Sequence, residues 1–537
     1  MLDAEPVPQP FHGALQLRGL EETISASAPP GRFGRMFGEL PPFRPPDPLL
    51  VQLGHGMRET DRAQRLGLHP NDFDSTIPAG YTYLAQLIDH DLSFDPVSRL
   101  RHTSDAATLP DFRTPRLDLD SLYGGGPILS PYLYARDRVH LRIGKAADDT
   151  DDLPRIDPAS GRPASAVIGD PRNDENVILS QLHLAFIKFH NRIVDWLYDK
   201  RGLQGLELLN EASRRVRWHY QWIVVHDFLP RLVPRQIVHD ILREEAYLVP
   251  SGPPTAGDRE GQVRTVRLPR VALRFFRWGD RAFIPVEFAG AAYRFAHSMV
   301  RPSYALSFRV AGSIPFAELR GLDQRGEDLE IYWPNFFDFK PAPPRAALQF
   351  ARKIDTVIAD PLSALSREMI SDLAPNRRAD DLSLPIRDLR RGWTLGLPSG
   401  QAVARAMALP RDLTLQGRDF SELDGNLTPF QDETPLWYYV LREAERFCKG
   451  EYLGPVGGRI VAEVLLGLLA ADPTSYLRVD PSWTPASESA NGGAPPTEGS
   501  ERVFDMTSLL RLARAGLAGP EISGDGRGPA LPAARGQ

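Results

Sequence analysis

Residues 82–96 read TYLAQLIDHDLSFDP, an apolar stretch that contains a cluster of polar side chains. In a helix, spacings of three and four residues place Gln86, Asp89 and His90 on one face, whereas Asp91 points elsewhere. A histidine between two aspartates is costly to bury unless each charge has a partner. The stretch therefore predicts a buried helix whose polar side chains meet a cofactor or a metal ion. On its own, His90 is more often a hydrogen-bonded core residue, so other segments have to distinguish the two.

Two further segments pair a charged side chain with a residue three positions later. Residues 169–183, GDPRNDENVILSQLH, bring Arg172 and Glu175 to one face where a long amphipathic helix begins. A solvated charge run explains this pattern equally simply, because acidic residues are favoured at helix N-termini. Further along, His297 follows Arg294 among small and apolar residues. Such a histidine is either a satisfied core residue or an axial ligand of haem iron.

The segment TPRLDLDSLYGGG, residues 114–126, is rich in oxygen ligands. Thr114, Asp118 and Asp120 alternate with other residues, and the backbone carbonyl of Arg116 falls between them. Hard cations such as calcium bind six to eight oxygens of these kinds. A turn stabilised by side-chain hydrogen bonds of the aspartates explains the same pattern. A fifth segment, LPIRDLRRGWTLGLPSGQ at 384–401, contains Asp388 and indicates no chemistry alone.

Taken in order, the five segments resemble the animal-type haem peroxidases of the peroxidase–cyclooxygenase superfamily, particularly bacterial members. The resemblance extends over about residues 51–480 and includes TPLWYYVLREAERF and GEYLGPVGGRIVAEVLLGLL near the end. The family's motifs Gln-x-x-Asp-His-Asp, Arg-x-x-Glu and Arg-x-x-His stand here as Gln86, Asp89, His90 and Asp91, as Arg172 and Glu175, and as Arg294 and His297.

The resemblance implies a mainly α-helical enzyme with very little β structure, binding haem b between a distal and a proximal helix. His297 would be the axial iron ligand. The catalytic residues of the distal side would be His90, Arg172 and Gln86. Other cofactor-binding residues would be Asp89 and Glu175, at the positions of haem ester bonds, together with Arg294 and Asp388. Asn176 replaces the methionine of some mammalian members, so no third covalent link is expected.

The resemblance also implies a calcium site that ties the distal helix to the loop after it. Its ligands would be Asp91, Thr114, the carbonyl of Arg116, Asp118 and Asp120.

The implied reaction is peroxidase chemistry, in which hydrogen peroxide is reduced and a small aromatic compound, halide or pseudohalide is oxidised. A neutral imidazole such as His90 can take a proton from one peroxide oxygen and return it to the other. Arg172 is the candidate cation for the charge on the leaving oxygen. The alternatives are a fatty-acid dioxygenase on the same scaffold and a non-catalytic binding or adhesion module. Dioxygenases of the family rely on a tyrosine three residues before the proximal histidine, where this chain has Arg294.

One departure concerns the proximal side. Counting back from Gly396-Leu397-Pro398, the family's proximal asparagine falls at Asp388. An aspartate accepts the imidazole N–H of His297 more strongly and stabilises higher iron oxidation states. We therefore predict a low reduction potential and poor chloride oxidation.

Composition fits an ordinary globular protein, with 42% hydrophobic and 25% charged residues among 537. The net charge of −6 gives no bias toward nucleic acid. The start of the chain lacks the pattern of a signal peptide, and apolar runs such as Val464–Ala471 are shorter than the roughly 20 residues of a membrane span. We expect a cytoplasmic protein, or one exported by a route that the sequence does not show. The single cysteine, Cys448, is expected to be a buried thiol, and the sequence leaves the oligomeric state and the electron donor open.

The predicted organisation has three parts. They are a Pro/Gly-rich N-terminal arm at 1–50, a catalytic domain at 51–480, and a low-complexity, largely disordered tail at 481–537 with a short helix near 504–515. Apolar periodicity predicts helices, besides the one carrying His90, at 179–199, 206–232, 237–247, 288–300, 344–373, 436–448 and 458–471, and strand-like alternation at 264–276.

Overall fold

The computed structural model describes most of the chain. The described residues are 31–95, 103–106, 108–146, 148–156, 164–250, 263–321, 325–326, 329–343, 345–365, 379–486, 504–515 and 517. Most of the predicted arm, residues 1–30, and much of the predicted tail lie outside these ranges.

Helices dominate the described residues, which confirms the mainly α-helical fold class. The α-helices are α1 Asp47–His55, α2 Glu59–Leu66, α3 Gly80–Leu92, α4 Asp120–Tyr123, α5 Gly126–Leu129, α6 Val177–Arg201, α7 Gly205–Ile223, α8 Leu229–Leu232, α9 Arg235–Ile241, α10 Val286–Ala289, α11 Asp360–Ser363, α12 Leu384–Thr394, α13 Gly400–Ala406, α14 Leu436–Cys448, α15 Pro455–Ala471, α16 Tyr476–Val479 and α17 Met506–Ala513. Tighter 3-10 turns include Pro171–Asp174 and Ala292–His297, and a π-helical turn at Val224–Phe228 joins α7 to α8.

The strands are short and scattered, with one exception. They are β1 Gly31–Gly34, β2 Asp74–Pro78, β3 Pro110–Asp111, β4 Gly144–Lys145, β5 Asp151–Asp152, β6 Leu242–Pro250, β7 Val263–Val271, β8 Ile284–Pro285, β9 Ser303–Tyr304, β10 Ile314–Pro315 and β11 Phe350–Arg352. Strands β6 and β7 form an antiparallel hairpin in which Leu242 pairs with Val271. The other pairings are β3–β1–β8, β10–β9, β11–β2 and β4–β5.

The long helix α6 and the shorter α3 lie at the centre of the core. In α6 the apolar side chains recur at helical spacing, and Asn176 caps its first turn by accepting the backbone N–H of Leu179 at 2.9 Å. Helix α3 packs against α6 and is buried along nearly its whole length, including Tyr83, Leu84 and Ile88. The first residue of α3 is Gly80, and only glycine fits there because a Cβ would lie 2.4 Å from the ring of Phe337. The polar side chains of α3 therefore face other protein groups instead of solvent.

Three helix predictions are wrong in part. The helix predicted at 237–247 ends at Ile241, because the residues that follow pair along β7 and complete the hairpin. The helix predicted at 344–373 is replaced by strand β11 and the short α11, and residues 344 and 366–373 lie outside the described ranges. The helix predicted at 288–300 ends at Ala289 and resumes as a 3-10 turn at Ala292, because Ala291 between them has the non-helical dihedral angles φ −146° and ψ −72°.

The remaining helix predictions agree with the structure, and the strand predicted at 264–276 is confirmed over 264–271, where β7 ends. The predicted short helix near 504–515 is present as α17, and it packs on α6. Trp483 is buried as well, so the body extends beyond residue 480. Cys448 is half-buried, and its thiol lies 3.5 Å from the carbonyl of Leu453. No described helix is both long enough and apolar enough to cross a membrane.

Candidate functional site

His90 lies in the last turn of α3, with its ring buried and held by one hydrogen bond. Its Nδ1 is 2.8 Å from the side-chain oxygen of Asn173, and the amide nitrogen of Asn173 lies 3.0 Å from Nδ1 of His183. Since an amide oxygen only accepts, Nδ1 of His90 carries the proton and Nε2 offers a lone pair. Burial, with Arg172 nearby, lowers the pKa of His90 to about 4. The imidazole is therefore neutral near pH 7 and can accept a proton at Nε2.

Arg172 lies beside His90 but its guanidinium has partners. Its Nε and a terminal nitrogen donate to the buried Asp170, the latter at 2.7 Å, and the same nitrogen donates to the carbonyl of His90 at 3.0 Å. The guanidinium also lies over the ring of Phe94, 4.4 Å from its centroid. Arg172 and Arg113 together hold the pKa of Asp170 well below its usual range although burial raises it. The distal positive charge is thus fixed in place and shared with Asp170.

Glu175 and Gln86 meet where α3 approaches the start of α6. Gln86 donates its amide N–H to Glu175 and accepts from Asn176 at 3.3 Å. Burial raises the pKa of Glu175 to about 7, with Arg172 opposing the shift, and the charges of Asp89 and His297 also reach it. Glu175 therefore lies where the distal and proximal sides approach each other. Gly321 fits against this turn because a Cβ there would lie 1.6 Å from the carbonyl oxygen of Asp174.

His297 ends the 3-10 turn on the proximal side and is backed by Asp388 of α12. Its Nδ1 lies 2.6 Å from one carboxylate oxygen of Asp388, and Arg294 donates to the other at 2.6 Å. The structure gives Nε2 of His297 no hydrogen-bond partner among the described residues. Asp388 is buried, which raises its pKa, but His297 and Arg294 outweigh burial and hold that pKa below its usual range. His297 is therefore a fixed imidazole with a free Nε2, as an axial ligand requires.

The predicted calcium ligands come together only in part. Asp91, Asp118 and Asp120, which we call the carboxylate cluster, offer oxygens that all lie within 4.8 Å of one another. The Oγ of Thr114 donates to Asp118 at 2.9 Å. The side chain of Arg116 extends to Asp472 instead, at 3.8 Å, and its carbonyl stays a predicted ligand.

The carboxylate cluster fits a hard cation. Asp91 is fully buried, and neither of its oxygens has a well-formed hydrogen bond among the described residues, although the N–H of Leu119 and the hydroxyl of Tyr220 lie near it. Unpaired buried carboxylates are strongly unfavourable, and burial together with the neighbouring aspartates raises the pKa of Asp91 well above its usual range. A bound divalent cation would satisfy the oxygens of Asp91 and offset the mutual repulsion.

Comparison with known proteins finds a matching family model and similar proteins. The family model described as Animal haem peroxidase matches residues 99–320. Over these residues, which are less than half of the chain, the sequence is similar to the animal haem peroxidases. Among curated relatives, eosinophil peroxidase of Mus musculus is 27% identical over 311 residues, which are 55% of this chain and 37% of the mouse protein. The match thus spans little more than a third of that relative's length.

The fold of the chain is shared with solved structures of low sequence identity. Peroxidase A of Dictyostelium discoideum superposes with a TM-score of 0.61 at 14% identity, covering 91% of this chain and 94% of that one. A fatty acid alpha-dioxygenase of Arabidopsis thaliana gives a TM-score of 0.55 at 14% identity, covering 91% of this chain and 76% of that one. The mainly helical peroxidase–cyclooxygenase fold is therefore confirmed. The likeness to bacterial members stays a prediction.

Sequence reasoning missed three residues of the site. Asn173 sets the tautomer of His90, Asp170 holds Arg172, and Arg113 contacts Asp170 at 2.5 Å. Asn173 and Asp170 lie within two residues of Arg172 in the sequence, so their proximity to Arg172 could be predicted. The side chains that they contact could not be predicted. His183 in turn orients Asn173.

Proposed function

We propose that the chain is a haem-dependent peroxidase that reduces hydrogen peroxide and oxidises a small aromatic, halide or pseudohalide donor. The observation that carries the proposal is a pair of imidazoles, His90 and His297, each held through Nδ1 by a buried side chain. In both rings this leaves Nε2 for iron or for peroxide. The match of residues 99–320 to the animal haem peroxidase model supports haem as the cofactor. Removal of peroxide under oxidative stress belongs to the same proposal.

The chain's residues fit haem b. His297 would hold the iron through Nε2, while Asp388 accepts the proton of Nδ1 and keeps the ring oriented. Asp89 and Glu175 would face the haem edge as carboxylates suited to ester bonds, and burial keeps Glu175 partly protonated near neutral pH. When bound, haem supplies the redox-active iron through which peroxide receives two electrons from the donor.

His90 would move the proton. Its Nε2 accepts the proton from one peroxide oxygen and returns it to the oxygen that departs as water. Asn173 keeps Nδ1 protonated throughout, so the ring cannot change tautomer between the two transfers. The lowered pKa of about 4 ensures that His90 begins in the neutral form. His90 therefore serves first as base and then as acid.

Arg172 and Gln86 would supply fixed polar groups around the same oxygens. Arg172 places a positive charge next to His90, which stabilises negative charge on peroxide, and Asp170 prevents the guanidinium from moving away. Gln86 lies between Glu175 and Asn176 and would hold water or a halide ion. We propose positioning and charge, not proton transfer, as the roles of these two residues.

The carboxylate cluster would hold calcium together with Thr114 and the carbonyl of Arg116. Because Asp91 follows His90 directly in α3, a cation there would fix the end of the distal helix to the 114–120 segment. The buried oxygens of Asp91, which lack a well-formed hydrogen bond among the described residues, support this assignment.

A fatty-acid dioxygenase is the second candidate, favoured by the fold of the Arabidopsis alpha-dioxygenase alone. Against it, the residue three before His297 is Arg294, which is engaged with Asp388. Tyr293 is buried against Phe288, with ring centroids 4.6 Å apart, on a different side of the turn. A non-catalytic module is disfavoured because Gln86, His90, Arg172 and His297 are all retained.

The two enzymatic candidates differ in the oxidant. We expect the haem-loaded protein to consume hydrogen peroxide in step with oxidation of an aromatic donor, and to take up no oxygen with an unsaturated fatty acid in the absence of peroxide. His90→Gln should slow peroxide consumption by about 10²-fold or more with haem binding kept, as for loss of a general acid–base residue. His140→Gln, a half-buried histidine paired with Asp137 and Asp195, is the matched control. Oxygen uptake that depends on fatty acid would favour the dioxygenase.

A further inference from the structure

A buried arginine lies between the carboxylate cluster and the distal arginine. One terminal nitrogen of Arg113 is 3.1 Å from Oδ1 of Asp120, and the other is 2.5 Å from Oδ2 of Asp170. The side chain of Arg113 is 10% exposed and that of Asp170 is fully buried. A single guanidinium thus joins the carboxylate cluster to the aspartate that holds Arg172.

The connection continues from Asp170 to His90. Arg172 donates to Asp170 and to the carbonyl oxygen of His90 through the same terminal nitrogen, at 2.7 and 3.0 Å. Both guanidiniums also lie over the ring of Phe94, Arg113 at 5.8 Å and Arg172 at 4.4 Å from its centroid. A continuous set of charge-assisted hydrogen bonds therefore runs from Asp120 to the distal histidine.

We propose that Arg113 transmits cation binding at the carboxylate cluster to Arg172, so that occupancy of the cation site sets the order of the distal arginine. The proposal rests on the calcium site and the distal roles proposed above. It adds Arg113 as a positioning residue that contacts neither peroxide nor cation.

The geometry allows Asp120 to bind Arg113 and the cation at the same time. A carboxylate has two oxygens, so Asp120 can keep Arg113 on Oδ1 while the other oxygen binds the cation. Without a cation, the three aspartates repel one another and the 114–120 segment loses order. Arg113 then loses its fixed hydrogen bond to Asp120, and its planar guanidinium is no longer held in the orientation that pairs with Asp170. Cation binding thereby orders Asp170 and Arg172.

A second route from the cluster to the distal side must be separated from this one. Asp91 is the neighbour of His90 in α3, so a cation could order the histidine through the helix alone. Arg113→Gln removes the bridge to Asp170 and keeps all three carboxylates of the cluster, including Asp91, in the chain. Arg217→Gln is the matched control, because Arg217 is also a buried guanidinium that contacts the cluster segment, donating to the carbonyl of Asp118 at 2.6 Å and lying over Tyr123.

The first test needs no haem. Amide hydrogen exchange of the purified protein is measured with calcium and with a chelator, in the wild type and in both variants. In the wild type and in Arg217→Gln, calcium should slow exchange in 113–120 and in 170–175 by about fivefold or more, the lower end of coupling between sites. In Arg113→Gln, calcium should still protect 113–120 but not 170–175. Circular dichroism and thermal unfolding show whether each variant folds.

The second test uses the haem-loaded protein and the rate of peroxide consumption. Chelation should slow the wild type and Arg217→Gln by a similar factor and should leave Arg113→Gln, already slow, nearly unchanged. Protection of 170–175 by calcium in a folded Arg113→Gln variant overturns the proposal. A wild type that binds calcium without protection of 170–175 also overturns it, and so does a wild type that binds no calcium. Coupling in the exchange experiment without peroxide consumption would instead refute the proposed peroxidase and leave the role of Arg113 standing.

Discussion

At the scale of single residues, the aspartate at position 388 changes the contacts that its neighbours make on the proximal side. Asp388 accepts the proton-bearing Nδ1 of His297, as the resemblance predicted, but it also accepts Arg294 at the same distance of 2.6 Å. The arginine shares the negative charge, so His297 gains less anionic character than an isolated aspartate would give. The sequence could not show this division, because the two contacts join residues more than 90 positions apart.

We expect Asp388→Asn to raise the reduction potential of the haem-loaded protein. An amide accepts the N–H of His297 more weakly, so the higher iron oxidation state loses stabilisation. A difference of about 1.4 kcal/mol corresponds to roughly 59 mV for one electron, and we expect a shift of this order. Spectroelectrochemical titration measures it. Asp355→Asn, at another buried aspartate, is the control and should leave the reduction potential unchanged. An unchanged potential in Asp388→Asn would show that its hydrogen bond to His297 does not stabilise the higher iron oxidation state.

The distal side was predictable at some residues and not at others. The spacing in α3 placed Gln86, Asp89 and His90 correctly on one face, because a helix repeats regularly. Asn173 and Asp170 act from a 3-10 turn whose contacts follow no period. Their roles therefore required three-dimensional structure.

At the scale of elements, α6 is the helix whose burial has the clearest consequence for pH. His190 lies fully buried in α6, where Nε2 donates to the carbonyl of Val139 at 3.0 Å and Nδ1 lies 3.1 Å from the hydroxyl of Tyr123. Burial lowers the pKa of His190 to about 4 from an ordinary 6.5. Between these values the unfolded chain binds a proton that the folded protein excludes, so His190 reduces stability as the pH falls through this window.

His190→Gln should therefore gain stability relative to the wild type on acidification. Glutamine offers one donor and one acceptor in place of the imidazole but does not titrate. From pH 7 to about 4.5 the gain relative to wild type should reach about 2 kcal/mol, measured by urea denaturation at each pH. His140→Gln, at a half-buried site whose pKa is raised by Asp195 and Asp137, should show no such gain. Parallel pH curves for wild type and His190→Gln would contradict the account.

Element boundaries show where sequence periodicity is insufficient. Helices α6, α14 and α15 were predictable because their apolar positions recur over three or more turns. The segment carrying His297 has the same apolar character, but its backbone leaves helical geometry at Ala291, which divides it into two short turns. The hairpin of β6 and β7 depends on pairing between distant residues, which local pattern does not encode.

At the scale of the whole molecule, the last described helix closes the core. In α17, Met506, Leu509 and Leu510 are fully buried, and the N–H of Met506 donates to Asp227 at 3.0 Å. Asp227 also accepts the hydroxyl of Tyr81, in the first turn of α3. The C-terminal segment therefore braces the helix that carries His90, although a low-complexity sequence separates it from the body.

Leu510→Ala should destabilise the fold by about 2–5 kcal/mol, the range for emptying a buried leucine site. Urea denaturation monitored by circular dichroism measures the loss. Leu512→Ala is the matched control, since Leu512 is only partly buried and should cost less. Equal effects of the two substitutions would mean that α17 is not anchored through its buried face.

The most direct measurement of the central proposal is the absorption spectrum of the haem-supplied protein before and after one equivalent of hydrogen peroxide. The account predicts a ferric haem band that shifts with peroxide and returns when an aromatic donor is added. It predicts loss of this response in His297→Ala, while His140→Ala behaves as the wild type. Absence of a haem band in the wild type, or a band indifferent to peroxide but altered by fatty acid, would contradict the proposed peroxidase.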